Sequence, residues 1–376
     1  MKKYLSLLTR FLALGLLGVF SLSTLAMAQP LDEAVEATSN SYFRATVIEV
    51  LEDSTTTFTG EPTPYQELKI RLDSGEKKGQ ELIVDYGKSY SITEEQKVAV
   101  GDPIIVNDFF DGESNFYSLY DRDRLGSLFI TFALFFALVV GLTRMRGIFS
   151  MTGLLVSIGV LVGYIIPHIL AGDNPLVISL IGSLAITGVS LFLAHGFNKR
   201  TALALGSTLI TLGLAAGLSL LFVDLANLSG AGAEEAFLLQ LANTRELNLK
   251  GLLLGGIIIG TLGVLDDVTT AQTAAVYELK RANKNLGFRE LYTRSLRIGR
   301  EHIASLVNTL VLAYAGAALP LLLLFQLDPT TPFWVTLNSE LIAEEVVRTL
   351  VGSSALVLGV PISSFLAALY YDKRKI

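Results

Sequence analysis

The stretch Gly251-Leu-Leu-Leu-Gly-Gly-Ile-Ile-Ile-Gly-Thr-Leu-Gly-Val-Leu-Asp266-Asp267-Val-Thr-Thr270 decides how this chain folds. It is apolar for almost its whole length and then carries two adjacent carboxylates. At about 1.5 Å per residue, twenty helical residues span about 30 Å, the thickness of a bilayer's hydrocarbon core. Counted from Lys250, Asp266 lies about 24 Å deep. A carboxylate at that depth is costly and faces a cavity or a partner. Thr269, Thr270, Gln272 and Thr273 continue the polar face for another turn. Two neighbouring carboxylates held out of water suit a proton or cation relay. The competing reading is a cytoplasmic helix cap, in which the acids simply meet water.

Six further apolar segments surround this one: Leu125–Thr143, Gly147–Ile166, Pro175–His195, Thr201–Val223, Ile303–Leu327 and Thr349–Tyr371. The second exits at Pro167-His168, short enough to read alternatively as a re-entrant piece. Composition agrees: 51% of the 376 residues are hydrophobic and 17% charged, against about 25% charged in soluble domains. Loop charge orients the bundle. Arg144, Arg146, Lys199, Arg200, the seven cations from Lys280 to Arg300, and Lys373, Arg374 and Lys375 fall on one side. Arg245, Lys250 and Arg348 fall on the other. Positive loops stay inside, so the C-terminus is expected in the cytoplasm. Gly159/Gly163, Gly213/Gly217 and Gly256/Gly260 give three G-x-x-x-G spacings, the pattern that lets helices approach closely.

Lys2, Lys3 and Arg10 precede an apolar run, Phe11–Leu25, and Ala26-Met27-Ala28. This predicts a signal peptide over 1–28; an uncleaved first helix is the alternative. Residues 29–124 then form an extracytoplasmic domain. Tyr42–Leu51, Glu67–Leu72, Glu81–Asp85, Pro103–Asn107 and Asn115–Leu119 read as strands, separated by Gly- and Asp-rich turns. Five short strands predict a small all-β, OB-like barrel. These residues hold 20 Asp/Glu against 9 Lys/Arg, which argues against nucleic acid as a partner. A solvated acidic surface explains the charge equally.

The stretch from Leu279 to Arg300 interleaves leucines with cations and reads as an amphipathic elbow on the cytoplasmic surface, drawn to anionic lipid. The next segment carries Asn308 and Thr309. If it pairs with the Asp-bearing helix as a hairpin, Asp266, Asp267, Asn308 and Thr309 form one polar layer. Pro320 and Pro361 are candidate kinks. Glu344, Glu345 and Arg348 read as interfacial, ahead of the last helix. With no cysteine and three histidines, His168 and His195 at opposite helix ends, nothing calls for a metal or cofactor. No nucleotide-binding loop, H-E-x-x-H or G-x-S-x-G motif occurs, so an enzyme is not expected.

Two segments carry a resemblance: Gly263-Val-Leu-Asp266-Asp267-Val-Thr-Thr-Ala-Gln272, and Arg300-Glu301-His302-Ile-Ala-Ser-Leu-Val-Asn308-Thr309-Leu-Val-Leu-Ala-Tyr314-Ala-Gly316. Together they resemble the YibE/F family of bacterial multi-pass membrane proteins, over about residues 120–370. That resemblance implies a permease and an exported β-domain ahead of the bundle; it names no substrate. An Asp pair, a basic elbow and an Asn-Thr helix are also similar to one half of the resistance-nodulation-division and SecD/SecF-type exporters, whose second half a homodimer would restore. The expectation is therefore a signal peptide (1–28), a β-domain (29–124) and a seven-helix transmembrane α-helical bundle (125–376) in the bacterial inner membrane. Its partners are the lipid bilayer, an unidentified small solute or ion, and a second copy or another membrane protein. The rival expectation is a membrane scaffold whose β-domain binds an envelope partner.

Overall fold

The computed structural model describes residues 41–58, 60–88, 90–110, 115–242, 247–326 and 330–374. The expected signal peptide lies outside them. The described residues fall into two units, Pro30–Leu138 and Val139–Ile376.

In the first unit five strands close a barrel: β1 (Ser41–Phe58), β2 (Glu61–Leu72), β3 (Glu81–Tyr86), β4 (Pro103–Phe110) and β5 (Asn115–Arg122), in the order β1-β2-β3-β5-β4. β1 and β4 complete the circle through Ser41↔Asp108 to Thr46↔Pro103, and β3 meets β5 in parallel at Asp85↔Ser118. Alternation drives this closure. Ala45 and Val47, Leu68, Ile70 and Leu72, and Ile104 and Val106 recur at every second residue and all point inward, fully buried. All five expected strands form, and β1 and β2 run longer than expected. Beyond Gln66 the hairpin leaves the barrel as a polar arm, Thr55↔Pro64 and Thr57↔Pro62, where no core face imposes alternation. A one-turn 3-10 helix, Glu94–Gln96, closes one end of the barrel. The buried Gln66 side chain pins the segment after it, donating to Val98 O (3.2 Å) and accepting from Val98 N (2.9 Å).

The helices are α1 (Leu125–Thr143), α2 (Met145–Leu170), α3 (Pro175–His195), α4 (Lys199–Leu225), α5 (Glu234–Ala242), α6 (Leu249–Ala282), α7 (Phe288–Ala317), α8 (Leu319–Gln326), α9 (Phe333–Leu337) and α10 (Glu340–Asp372). Asparagine starts three of them. Asn174, Asn198 and Asn248 accept from first-turn amides at 3.0, 3.0 and 2.8 Å, satisfying donors the helix itself cannot. α2 runs unbroken through Pro167 by widening to a π-turn at Leu161–Ile165, which absorbs the missing proline N–H. At 26 residues it is long and apolar enough to cross a membrane.

Among the described residues six helices are long and apolar enough to cross a membrane: α1, α2, α3, α4, α6 and α10. The seventh expected segment, Ile303–Leu327, is not one helix. α7 ends at Ala317 and α8 begins at Leu319. Pro320, in the first turn of α8, lacks the N–H that Gly316 O would accept, and the helix breaks at Ala318. α10 starts nine residues earlier than expected, at Glu340. Its first turns are anchored: Glu340 accepts from the Ser229 hydroxyl (2.7 Å) and Gly230 N (3.1 Å), and the buried Glu344 accepts from Gly232 N (3.0 Å). Glu344 is thus a buried anchor.

Candidate functional site

α6 is the hub of the bundle, packing against α3, α4, α7 and α10. Glycine permits the tightest of these approaches. A Cβ on Gly255 would stand 2.5 Å from Ser179 Oγ and 3.1 Å from Pro175 O, so α3 touches α6 where only hydrogen fits. Gly251 and Gly255 supply this contact. Around Gly159, Gly213 and Gly217, from two of the three spacings noted in the sequence, the space is open within the chain.

The interior beside this contact is polar. Ser179, Ser183 and Thr187 descend one face of α3 at four-residue intervals, each fully buried, with hydroxyls unpartnered among the described residues. Ser207, Thr208 and Thr211 of α4 and Thr261, Thr269, Gln272 and Thr273 of α6 are buried as well. The Thr208 and Thr269 hydroxyls bond each other at 2.7 Å, and Thr269 also reaches Asp266 O at 3.2 Å. Gln272 donates to Ser295 O (2.6 Å) and to the Ser364 hydroxyl (2.7 Å), tying α6, α7 and α10 together. A buried amide with these partners is well satisfied.

The two acids differ. Asp266 is half-buried, and its Oδ1 is shielded with no hydrogen-bond partner among the described residues. Thr270 is half-buried next to it, its hydroxyl also unpartnered. Asp267 is exposed, and it lines a pocket of about 410 Å³ with Thr143, Arg146, Ser150, His195 and Arg200. A carboxylate beside an imidazole and two guanidiniums can exchange protons and hold a polar solute. Arg146 and Arg200 sit at the starts of α2 and α4, and His195 ends α3. Sequence spacing pairs His195 only with His168, at the opposite helix end. Its place at the α3–α4 turn, on the basic side of the bundle and level with the acids, is the signal that could have found it.

The expected four-residue layer is not assembled. Asn308 and Thr309 are exposed, and the Thr309 hydroxyl bonds Ser305 O of its own helix (3.0 Å). The reason is periodicity. Ile303, Leu306, Leu310 and Tyr314 make the face that packs on Val268, Leu356 and Val360, which turns Asn308 and Thr309 outward. Nor is the basic elbow uniformly a surface. Lys280 is only 4% exposed, and its ammonium donates to Leu286 O (2.8 Å) and Asp372 O (3.1 Å), joining the ends of α6 and α10. Leu286 and Leu291 pack inward against Val276, Ala367 and Tyr371.

None of the curated proteins and none of the solved structures compared with the chain matches it. One family profile does: that of the YibE/F-like proteins, over residues 131–373. That match covers well over half the chain and contains the whole polar interior and the Asp267 pocket, so the chain is a multi-pass membrane protein belonging to the YibE/F-like family.

Proposed function

We propose that the chain is a bacterial inner-membrane permease or exporter, not an enzyme, which moves a small solute or ion coupled to protons through Asp266 and Asp267. The observation that carries this reading is that adjacent carboxylates on α6 meet two different environments. Asp267 lines an open pocket with His195, and Asp266 is half-buried with its Oδ1 shielded and unpartnered among the described residues. Asp267 and His195 exchange protons with solvent; Asp266 takes up a proton at its shielded oxygen; Thr208 and Thr269 extend a hydroxyl path inward. Arg146 and Arg200 give the pocket an affinity for anionic or polar solute.

In this reading the chain crosses the membrane seven times. The apolar half of α7 and the eight residues of α8 together supply the seventh crossing, about 34 Å long and bent ahead of Pro320. The loop charges then put the barrel outside and the C-terminus inside. A closed five-stranded barrel with a parallel β3–β5 contact is OB-like. A second reading, a membrane scaffold, draws on the barrel itself. Tyr42 and Tyr120 stand exposed and edge to face at 5.2 Å, an amphipathic aromatic pair suited to an envelope partner.

The test is proton movement in proteoliposomes. With a pH-sensitive dye enclosed, the full chain is expected to dissipate an imposed pH gradient faster than protein-free vesicles, and Asp267→Asn is expected to slow it at least tenfold. A rate equal in protein-free vesicles, the full chain and the variant would favour the scaffold.

A further inference from the structure

A second pocket, of about 400 Å³, opens where α4 begins and where α6 and α10 end. Asn198, Lys199, Arg200, Tyr277, Tyr370 and Arg374 line it. We propose that it binds a phosphate ester, with Lys199, Arg200 and Arg374 taking the phosphate oxygens and the tyrosines packing on the organic part.

Three observations lead there. First, the pocket's cations form no ion pair, although Arg200 also borders the Asp267 pocket. Among the described residues no carboxylate lies within ion-pair distance of Lys199, Arg200 or Arg374, although thirteen ion pairs form elsewhere in the chain. The nearest acid in sequence, Asp372, has its Oδ1 engaged with Phe288 N at 2.8 Å. Secondly, the guanidiniums are held in place by rings. Arg374 lies 4.2 Å from the Tyr370 ring centroid and Arg200 5.4 Å from that of Tyr277. Stacking fixes a guanidinium plane while leaving its N–H fork free, the arrangement that suits bidentate phosphate recognition. The rings brace one another: Tyr277 and Tyr371 stand edge to face at 5.6 Å, Tyr370 and Tyr371 at 5.0 Å. Thirdly, Asn198 caps α4 beside the pocket, accepting from Thr201 N at 3.0 Å, so the positive end of a 27-residue helix adds to the potential. Three fixed positive charges in so small a space repel one another until an anion enters. A phosphate, with up to two negative charges and three or four oxygens, fits better than a single carboxylate. The volume lies in the range of small-molecule sites.

The same chemistry occurs in an anionic phospholipid headgroup and in a soluble phosphate, and the experiment separates them. The full chain is reconstituted in phosphatidylcholine nanodiscs and titrated with short-chain phosphatidylglycerol and, separately, with inorganic phosphate, with ³¹P line broadening as readout. Saturable binding of phosphatidylglycerol alone identifies a lipid headgroup; binding of inorganic phosphate as well identifies a site that also takes soluble anions. In either case Lys199→Gln combined with Arg374→Gln should weaken binding at least tenfold. Arg374→Lys, which keeps the charge and stands in if the double variant fails to fold, should weaken it about three-fold. Lys373→Gln removes a neighbouring charge outside the pocket and should change affinity less than two-fold. The proposal is overturned if neither probe binds saturably, or if Lys373→Gln costs as much as Arg374→Lys. The latter result would mean diffuse surface charge and no built site.

Discussion

The barrel and the bundle solve opposite problems. The barrel meets water, so its interior is apolar, with Leu68, Ile70, Leu72, Ile104 and Leu119 wholly buried and, among the described residues, Gln66 the buried polar group. The bundle meets lipid, so burying apolar surface distinguishes inside from outside far less. Its interior instead collects Ser183, Thr208, Thr269, Gln272, Lys280 and Glu344, while large apolar side chains such as Leu142, Leu221 and Leu225 face outward. The same substitution should therefore have different consequences in the two halves.

The largest difference is expected for truncation. Leu68→Ala leaves a cavity among packed strands and should cost the barrel about 3 kcal/mol in denaturant unfolding of residues 41–124, a piece expected to fold alone. Ser183→Ala in the bundle removes a hydroxyl that bonds nothing among the described residues and should lower thermal stability in detergent by less than about 0.5 kcal/mol. A large loss at Ser183 would break the comparison, because that hydroxyl would then have a partner.

Lys280→Met should come next, at about 2 kcal/mol. It strands two carbonyls that one buried ammonium now satisfies. An unchanged melting temperature would return Lys280 to the lipid-facing elbow expected from sequence. Gly255→Ala should cost about 1–2 kcal/mol, since its methyl meets Ser179 Oγ and Pro175 O. Gly213→Ala, into open space in α4, should be neutral or stabilise by up to about 1 kcal/mol. Equal effects at the two glycines would mean that the α3–α6 approach is looser than described.

A further expected effect, seen only at high pH, is a pH dependence of the barrel. Burial pushes the Tyr90 phenol up to about 12, and its hydroxyl donates to Leu119 O at 2.7 Å. The folded state thus holds this proton more tightly than the unfolded chain, whose phenol titrates near 10. The contribution is fully present below pH 10 and is lost as pH rises from 10 to 12. Tyr90→Phe should flatten that slope in part, the raised Tyr86 phenol supplying some of the remainder.

Period-two alternation made the barrel strands legible, because Leu68, Ile70 and Leu72 have a single place to go. The polar arm beyond Gln66 carries no such signal. In the bundle, Asp266 and Asp267 stood out against an apolar background, and the facing of α7 was present in Ile303, Leu306 and Leu310. Asn308 was weighed by its depth alone, without regard to which face it shares. The Ser179–Ser183–Thr187 spacing was equally visible, but small hydroxyl residues barely lower the hydropathy of a span. Lys280 could not be read. Its partner carbonyl at Asp372 lies 92 residues away, and sequence does not show which of seven cations is brought to it.

In the proposed function, proton handling belongs to the polar interior of the bundle and not to the barrel. Proton-binding currents on a solid-supported membrane test it without knowledge of the solute. A pH jump should give a transient charge displacement with the full chain. A chain reduced to residues 125–376 should keep it within two-fold, and Asp266→Asn should reduce it at least tenfold. An undiminished transient in Asp266→Asn, or its loss with the barrel alone removed, would contradict the account.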